Sequence, residues 1–178
     1  KQVPDTTEVK LDPKTGTLIR EGVPSIINPD DLAGLEEALK IKEQNDATIT
    51  VITMGPPQAA EALREAYAMG ADEVILLTDR AFAGSDTWAT SSALAGAIRT
   101  LDYDVIIAGR QAIDGDTAQV GPQIAEHLQI PSISYVEEIR EVTDESMVVK
   151  RQFEDRFQTI RVKFPCLITT LGGMNEPR

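Results

Sequence analysis

Short apolar runs rich in β-branched residues punctuate the chain at Ile49–Met54, Val74–Thr78 and Val105–Gly109. That is the pattern of strands buried on both faces. Each run gives way to a helix signal. Thr53-Met54-Gly55-Pro56-Pro57 breaks the first, and Leu63, Ala66, Tyr67 and Gly70 follow at helical spacing. Gly70 suits the position just past a helix, where a left-handed residue without a Cβ costs least. After the second run come Gly84-Ser85-Asp86-Thr87, an N-cap cluster, and a helix over Trp88–Thr100. After the third come Arg110–Gly121 and a short helix through Ile124 and Leu128. An earlier helix opens at Asn28-Pro29-Asp30-Asp31, with Leu32, Leu35 and Leu39 as its apolar stripe. There asparagine is expected to cap, proline to take the first turn, and the aspartates to favour the positive end of the dipole.

Strands alternating with helices predict an α/β fold: a Rossmann-like, doubly wound, mostly parallel sheet with helices on both faces. The C-terminal third changes character. Ser132–Tyr135, Met147–Arg151, Gln158–Lys163 and Leu167–Leu171 alternate or run apolar, separated by polar turns at Thr143-Asp144-Glu145 and Glu154-Asp155-Arg156. This predicts a small antiparallel extension over 132–171 at one edge of the sheet. Residues 1–178 are expected to form one nucleotide-binding domain. Both ends read as truncated: Lys1-Gln2-Val3-Pro4-Asp5 is polar and turn-like with no buried strand before it, and Asn175–Arg178 is polar with no closing helix.

A net charge of −12 with dispersed acidic residues argues against nucleic acid and anionic membrane as partners. No apolar run reaches the length that crosses a bilayer, so membrane insertion is not expected. A single cysteine, Cys166, points to a reducing compartment, hence the cytoplasm, and to a small core residue. One histidine, His127, has no second histidine or cysteine at metal spacing, so no metal site is expected. No nucleophile and base can be paired from these residues, and no catalytic residue is assigned. A protein holding a cofactor that carries its own chemistry fits better.

Three loops at strand ends are candidates to hold it. The first is Gly109-Arg110-Gln111-Ala112-Ile113-Asp114-Gly115-Asp116-Thr117-Ala118-Gln119-Val120-Gly121. It runs from a strand into a helix, where open parallel sheets bind ligands and free amides attract phosphate. It lacks the glycine spacing of the dinucleotide fingerprint and the Gly-Lys-Ser/Thr of a P-loop, so a tight turn explains it equally well. The second loop is Asp79-Arg80-Ala81-Phe82-Ala83-Gly84-Ser85-Asp86-Thr87, continuing to Thr90, with hydroxyls and an arginine suited to a flavin or diphosphate. An ordinary capped loop explains that one too. The third, Thr53-Met54-Gly55-Pro56, is also accounted for by a Gly-Pro-Pro turn.

Taken together, Lys1–Asp5, Asn28-Pro29, Ala68-Met69-Gly70-Ala71-Asp72 and Gly109–Gly121 resemble the electron-transfer flavoprotein β subunit, in order and at familiar intervals. Val149-Lys150-Arg151, Glu154-Asp155, Gln158-Thr159-Ile160 and Pro165-Cys166-Leu167-Ile168-Thr169 resemble the family's signature, with Arg156 departing from it. The resemblance implies a heterodimer with an α subunit that carries FAD. It implies adenine-nucleotide contacts at Asn28, Pro29, Asp30, Asp31, Met54 and Gly109–Val120, with one further contact in a strand before Lys1 and a partner-recognition loop after Arg178. Conventional members hold AMP structurally. Flavin-bifurcating members hold a second FAD that takes electrons from NADH. One electron then goes to ferredoxin or flavodoxin, and the other goes through the α-subunit FAD to an acyl-CoA dehydrogenase-type partner. Asp79–Thr90 and Thr53–Pro57 resemble the bifurcating subgroup, which implies FAD, with AMP as the alternative. A stand-alone ATP-binding regulatory protein shares the same general architecture and stays open as a further alternative.

Overall fold

The computed structural model describes residues 1–5, 13 and 24–178. Strands β1 (Gln2–Pro4) and β2 (Ser25–Ile27) pair antiparallel and lead into helix α1 (Pro29–Gln44). Lys1–Asp5 is therefore not the turn its polar residues suggest: Val3 is fully buried and the strand pairs with Ser25–Ile27. Two β-α units follow, β3 (Thr50–Met54) with α2 (Ala60–Met69) and β4 (Glu73–Leu77) with α3 (Thr87–Ile98). β3 and β4 pair parallel, Thr50 opposite Glu73. Gly70 closes α2 at φ 124°, a conformation that favours glycine.

β5 (Val105–Gly109) and α4 (Val120–Leu128) form the next unit. Then β6 (Ser132–Val142), β7 (Ser146–Gln152), β8 (Phe157–Lys163) and β9 (Cys166–Thr170) complete a five-stranded sheet in the order β5-β9-β6-β7-β8. β6, β7 and β8 form the expected antiparallel meander. β9 differs from the expectation for 132–171. It runs parallel to both β5 and β6 and lies between them, buried at all five positions. An apolar run fixes burial but not strand direction, and a strand buried on both faces belongs to the parallel centre. β6 also continues past Tyr135 to Val142, through a register shift between Ile133 and Val136 where Tyr135 takes φ 64°. The bulge interrupts the alternation without ending the strand.

Side chains sort the helices onto two faces. In β5, Val105 and Ile107 join a core of Ile133, Val136, Met147, Val149, Cys166 and Ile168, on the side that also takes Ile41 of α1. Ile106 points the other way, to Ile98 of α3, Ile124 of α4 and Leu167. In β3, Val51 packs with α1 and α2 while Ile52 packs with Ile98. The period of two along each strand makes the α/β fold doubly wound, with α1 and α2 on one face and α3 and α4 on the other.

A cavity of about 860 Å³ lies between β3 and β5, lined by Thr50–Thr53 and Val105–Ile107 together with Leu35 and Ile41 of α1 and Leu63 of α2. Among the described residues each of these strands has a pairing partner on one side only, β4 and β9 respectively. Residues 6–12 and 14–23 of the expected domain lie outside the described residues.

Candidate functional site

The chain leaves β5 at Gly109 and enters α4 at Val120, and α1 begins directly beside this run. The Gly109 amide donates to Asp31 Oδ1 at 2.7 Å. A Cβ on Gly109 would sit 2.6 Å from both the Asp31 nitrogen and its Oδ1, so only glycine allows the approach. Asp30 Oδ1 accepts from the Gly172 amide at 2.9 Å, and Arg110 Nε faces Asp30 Oδ2 at 3.3 Å without hydrogen-bond alignment. Thr170 Oγ1 donates to the Asp30 carbonyl at 2.9 Å. The first turn of α1 is thereby fastened to the ends of both β5 and β9.

Asn28 corrects an expectation. It stands at the cap position of α1 but makes no side-chain cap bond. Its amide instead reaches across to the next loop, donating from Nδ2 to the Gln111 carbonyl at 2.8 Å and accepting at Oδ1 from the Ile113 amide at 3.0 Å. The side chains of Asn28, Asp30 and Asp31 are thus committed within the protein. Pro29 is exposed at the start of the helix.

Beyond Ile113 the loop turns outward. Gly115 and Asp116 amides both donate to the Ala112 carbonyl, at 3.1 and 2.9 Å. Gln111 Nε2 donates to Asp116 Oδ1 at 2.8 Å, and Asp114 pairs with Lys1 Nζ at 2.6 Å. Asp116 and Ala118 take φ 48° and 52°, left-handed values that cost non-glycine residues about 1 kcal/mol each. Ile113, Gly115, Asp116, Thr117 and Gln119 are exposed. The first-turn amides of α4, at Val120 and Gly121, have no intrahelical acceptor. With left-handed Ala118 preceding right-handed Gln119, this segment has the alternating backbone of an anion-binding nest. A phosphate-bearing nucleotide fits these donors.

The second candidate loop follows β4. Asp79 Oδ1 accepts from the Ala81 amide and closes a short turn over Arg80–Phe82. Asp86 caps α3 as expected, its Oδ1 accepting from the Ala89 amide at 2.8 Å. Arg80, Gly84 and Asp86 are exposed, while Phe82, Ser85, Thr87 and Thr90 are half-buried. One side chain joins this loop to the first: Thr87 Oγ1 donates to Gln119 Oε1 at 2.8 Å, with Gln123 Nε2 at 3.4 Å from the same hydroxyl. The third loop lies at the same end of the parallel pair. Thr53 is buried, Met54 and Gly55 are half-buried, Pro56 is exposed, and the Gly55 amide donates to the Leu77 carbonyl at 3.0 Å. Of all these candidate residues only Asp31 and Thr53 line the cavity between β3 and β5, so that cavity is separate from the loop platform.

Sequence reasoning missed Gln123, Thr170 and Gly172, each bonded to a candidate residue. The Gly172-Gly173 pair after β9 was the available signal. His127 packs its ring on Trp88 at 4.5 Å and meets Ser91 Oγ at 3.2 Å, a structural use. Cys166 is fully buried, and burial pushes its thiol up to about 11. Among the described residues no group of histidine, cysteine and carboxylate side chains is arranged to hold a metal, and no helix is long and apolar enough to cross a membrane.

Residues 15–178 match the family model described as Electron transfer flavoprotein domain. The chain is 60% identical over 180 residues to caffeyl-CoA reductase-Etf complex subunit CarD of Acetobacterium woodii, covering all of this chain and 68% of that protein. It is 60% identical over 178 residues to electron transfer flavoprotein subunit beta of Clostridium acetobutylicum, with the same coverage. Protein FixA of Azotobacter vinelandii is 50% identical over 184 residues, covering all of this chain and 66% of that protein.

Proposed function

Because this chain belongs to the electron-transfer flavoprotein family, alongside its β subunits, we propose that it binds FAD on the platform formed by its strand-end loops and works in a heterodimer with an α subunit. The observation that carries the nucleotide is the run from Gly109 to Gly121, with its alternating backbone at Ala118–Gln119 and the unpaired first-turn amides of α4. What favours FAD over AMP is the loop Asp79–Thr90. It resembles that of bifurcating members and is fastened to the first loop through Thr87 and Gln119.

In this reading Gly109–Val120 hold the adenine-nucleotide phosphates, and Asn28–Asp31 set the position of that loop. Arg80, Ser85 and Thr90 offer the donors that orient the flavin end, next to Thr53–Pro56, while Thr87, whose hydroxyl proton goes to Gln119, holds their loop in place. Bound there, FAD supplies hydride acceptance from NADH and release of electrons one at a time. The acceptors are ferredoxin or flavodoxin on one route and, through the α-subunit FAD, an acyl-CoA dehydrogenase-type flavoprotein on the other. The name of the Acetobacterium woodii relative, a subunit of a caffeyl-CoA reductase-Etf complex, supports a CoA-ester partner. The site of action is the cytoplasm.

The test is to purify the complete heterodimer and identify its nucleotides. Two FAD per heterodimer, with bleaching by NADH, is the expected result. One FAD with one AMP would overturn the bifurcating role and leave a structural AMP subunit. A colourless homodimer retaining ATP would overturn both.

A further inference from the structure

Asn28 is fully buried, and both ends of its carboxamide are engaged 83 and 85 residues along the chain. Its backbone is engaged as well: the Asn28 amide donates to the Lys1 carbonyl at 2.8 Å, and its carbonyl accepts from the Leu32 amide at 2.9 Å. The side chain therefore behaves as one rung of a β-ladder, offering the loop the donor and acceptor that a neighbouring strand would have offered. Few side chains can replace it. A carboxylate has acceptors only, and one of its oxygens would face the Gln111 carbonyl. A hydroxyl has a single oxygen and cannot span both groups, and an alanine leaves both unbonded.

The rung holds the loop at its root. Between Gln111 and Ile113 lies Ala112, whose carbonyl takes the amides of Gly115 and Asp116. Gln111 itself holds Asp116 by its side chain. The left-handed backbone at Asp116 and Ala118 persists only where its surroundings determine it. Asn28 and the bonds around Ala112 supply that determination before any ligand arrives.

We propose that Asn28 is a positioning residue of the nucleotide site, pre-forming the Gln111–Gln119 loop through the backbone rather than touching the nucleotide with its side chain. The inference rests on the reading that this loop binds a nucleotide. Pre-formation raises affinity by removing the ordering cost from the binding step.

The test compares wild type, Asn28→Ala and Asn28→Asp in the complete, nucleotide-stripped heterodimer, titrated with FAD and with AMP across a range of pH. Asn28→Ala is expected to bind about 10- to 100-fold more weakly than wild type at every pH, two hydrogen bonds having been lost. Asn28→Asp is expected to bind as poorly as Asn28→Ala near pH 8 and to recover most of the loss near about pH 5.5. A buried carboxyl facing a carbonyl titrates high, and once protonated it again offers one donor and one acceptor. Parallel pH profiles for the two variants would overturn the proposal, because mere packing distinguishes no protonation state. Amide exchange at Ile113 gives a readout that needs no ligand and no variant. The proposal requires this amide to be protected in wild type, and exchange at the rate of an open loop would overturn it. Wild type that binds neither FAD nor AMP while Ile113 stays protected would instead sink the nucleotide reading.

Discussion

The hydroxyl of Thr87 donates to Gln119 Oε1 at 2.8 Å, so the first residue of α3 is bonded to the residue immediately before α4. These helices follow different strands, and their starts are brought side by side at one end of the fold. The bond spans 32 residues of sequence and is exposed, worth about 1 kcal/mol at most. Its interest lies in what it joins: the loop proposed to hold the phosphates and the loop proposed to favour FAD over AMP.

Thr87→Val removes the hydroxyl and keeps the side-chain shape. FAD affinity is expected to fall about 2- to 5-fold, the equivalent of one such bond. AMP depends in the proposed function on the loop from Gly109 and not on Asp79–Thr90, so its affinity should change less. Flavin and AMP titrations of the stripped heterodimer measure both. An equal loss for the two ligands would assign Thr87 to the phosphate loop alone.

Local signals were legible in the chain because their partners are neighbours in sequence. Asp86 bonds the amide three residues on, and Gly70 closes the helix it follows, so the cap and the stop could both be read directly. Asn28 was misread as a cap for the opposite reason: its partners are Gln111 and Ile113, which no local pattern reveals. The direction of β9 was hidden because Cys166–Thr170 is buried on both faces, and such a run looks alike in parallel and antiparallel pairing. The three loops do follow the ends of β3, β4 and β5, where the apolar runs break off. The way α1 fastens them, through Asp30 and Asp31 to Gly172 and Gly109, emerged only from the fold.

An acid-sensitive contact joins Glu36 of α1 to Arg178. Arg178 donates from Nη2 and Nε to the two Glu36 oxygens at 2.8 and 2.9 Å, while Glu36 is 4% exposed. These hydrogen bonds hold the Glu36 carboxyl below its ordinary 4.5, against burial, which raises it. A depressed carboxylate contributes stability above its unfolded pKa and loses it as pH falls through the folded value. Arg178→Met should therefore destabilise the fold near neutrality, modestly because the arginine is exposed and its pairing is screened by solvent. Thermal unfolding across pH should show the gap to wild type narrowing as pH falls below the ordinary 4.5 and Glu36 protonates. A gap independent of pH would mean that Arg178 acts by packing alone.

Cys166 begins β9, fully buried between β5 and β6, with its thiol pushed up to about 11 by burial. The thiolate is the reactive form, so both access and charge work against reaction. Iodoacetamide at about pH 8 is expected to leave the native protein unlabelled over the time in which a free thiol reacts fully, with quantitative labelling after denaturation. Native labelling, read by mass spectrometry, would show that the β5–β9 pair opens under native conditions.

Two glycines in one loop separate folding from binding. At Gly109 an added Cβ would meet the Asp31 nitrogen and Oδ1 at 2.6 Å and the Asp30 carbonyl carbon at 2.8 Å. Two of these atoms are backbone, and the carboxylate oxygen is the one that accepts from the Gly109 amide, so nothing can yield without breaking the contact. Gly109→Ala is expected to cost about 3 kcal/mol of stability and to release α1 from the end of β5. At Gly115 an added Cβ meets nothing within 4 Å, and the residue is exposed. Gly115→Ala should fold within about 0.5 kcal/mol of wild type. Its methyl group would project from the loop surface proposed to face the nucleotide, and affinity is expected to fall about 10-fold while the unfolding midpoint stays in place. Normal binding by Gly115→Ala would move the approach away from that residue, toward the α4 amides at Val120 and Gly121. Intact stability in Gly109→Ala would mean that the Asp31 contact does not hold the loop root.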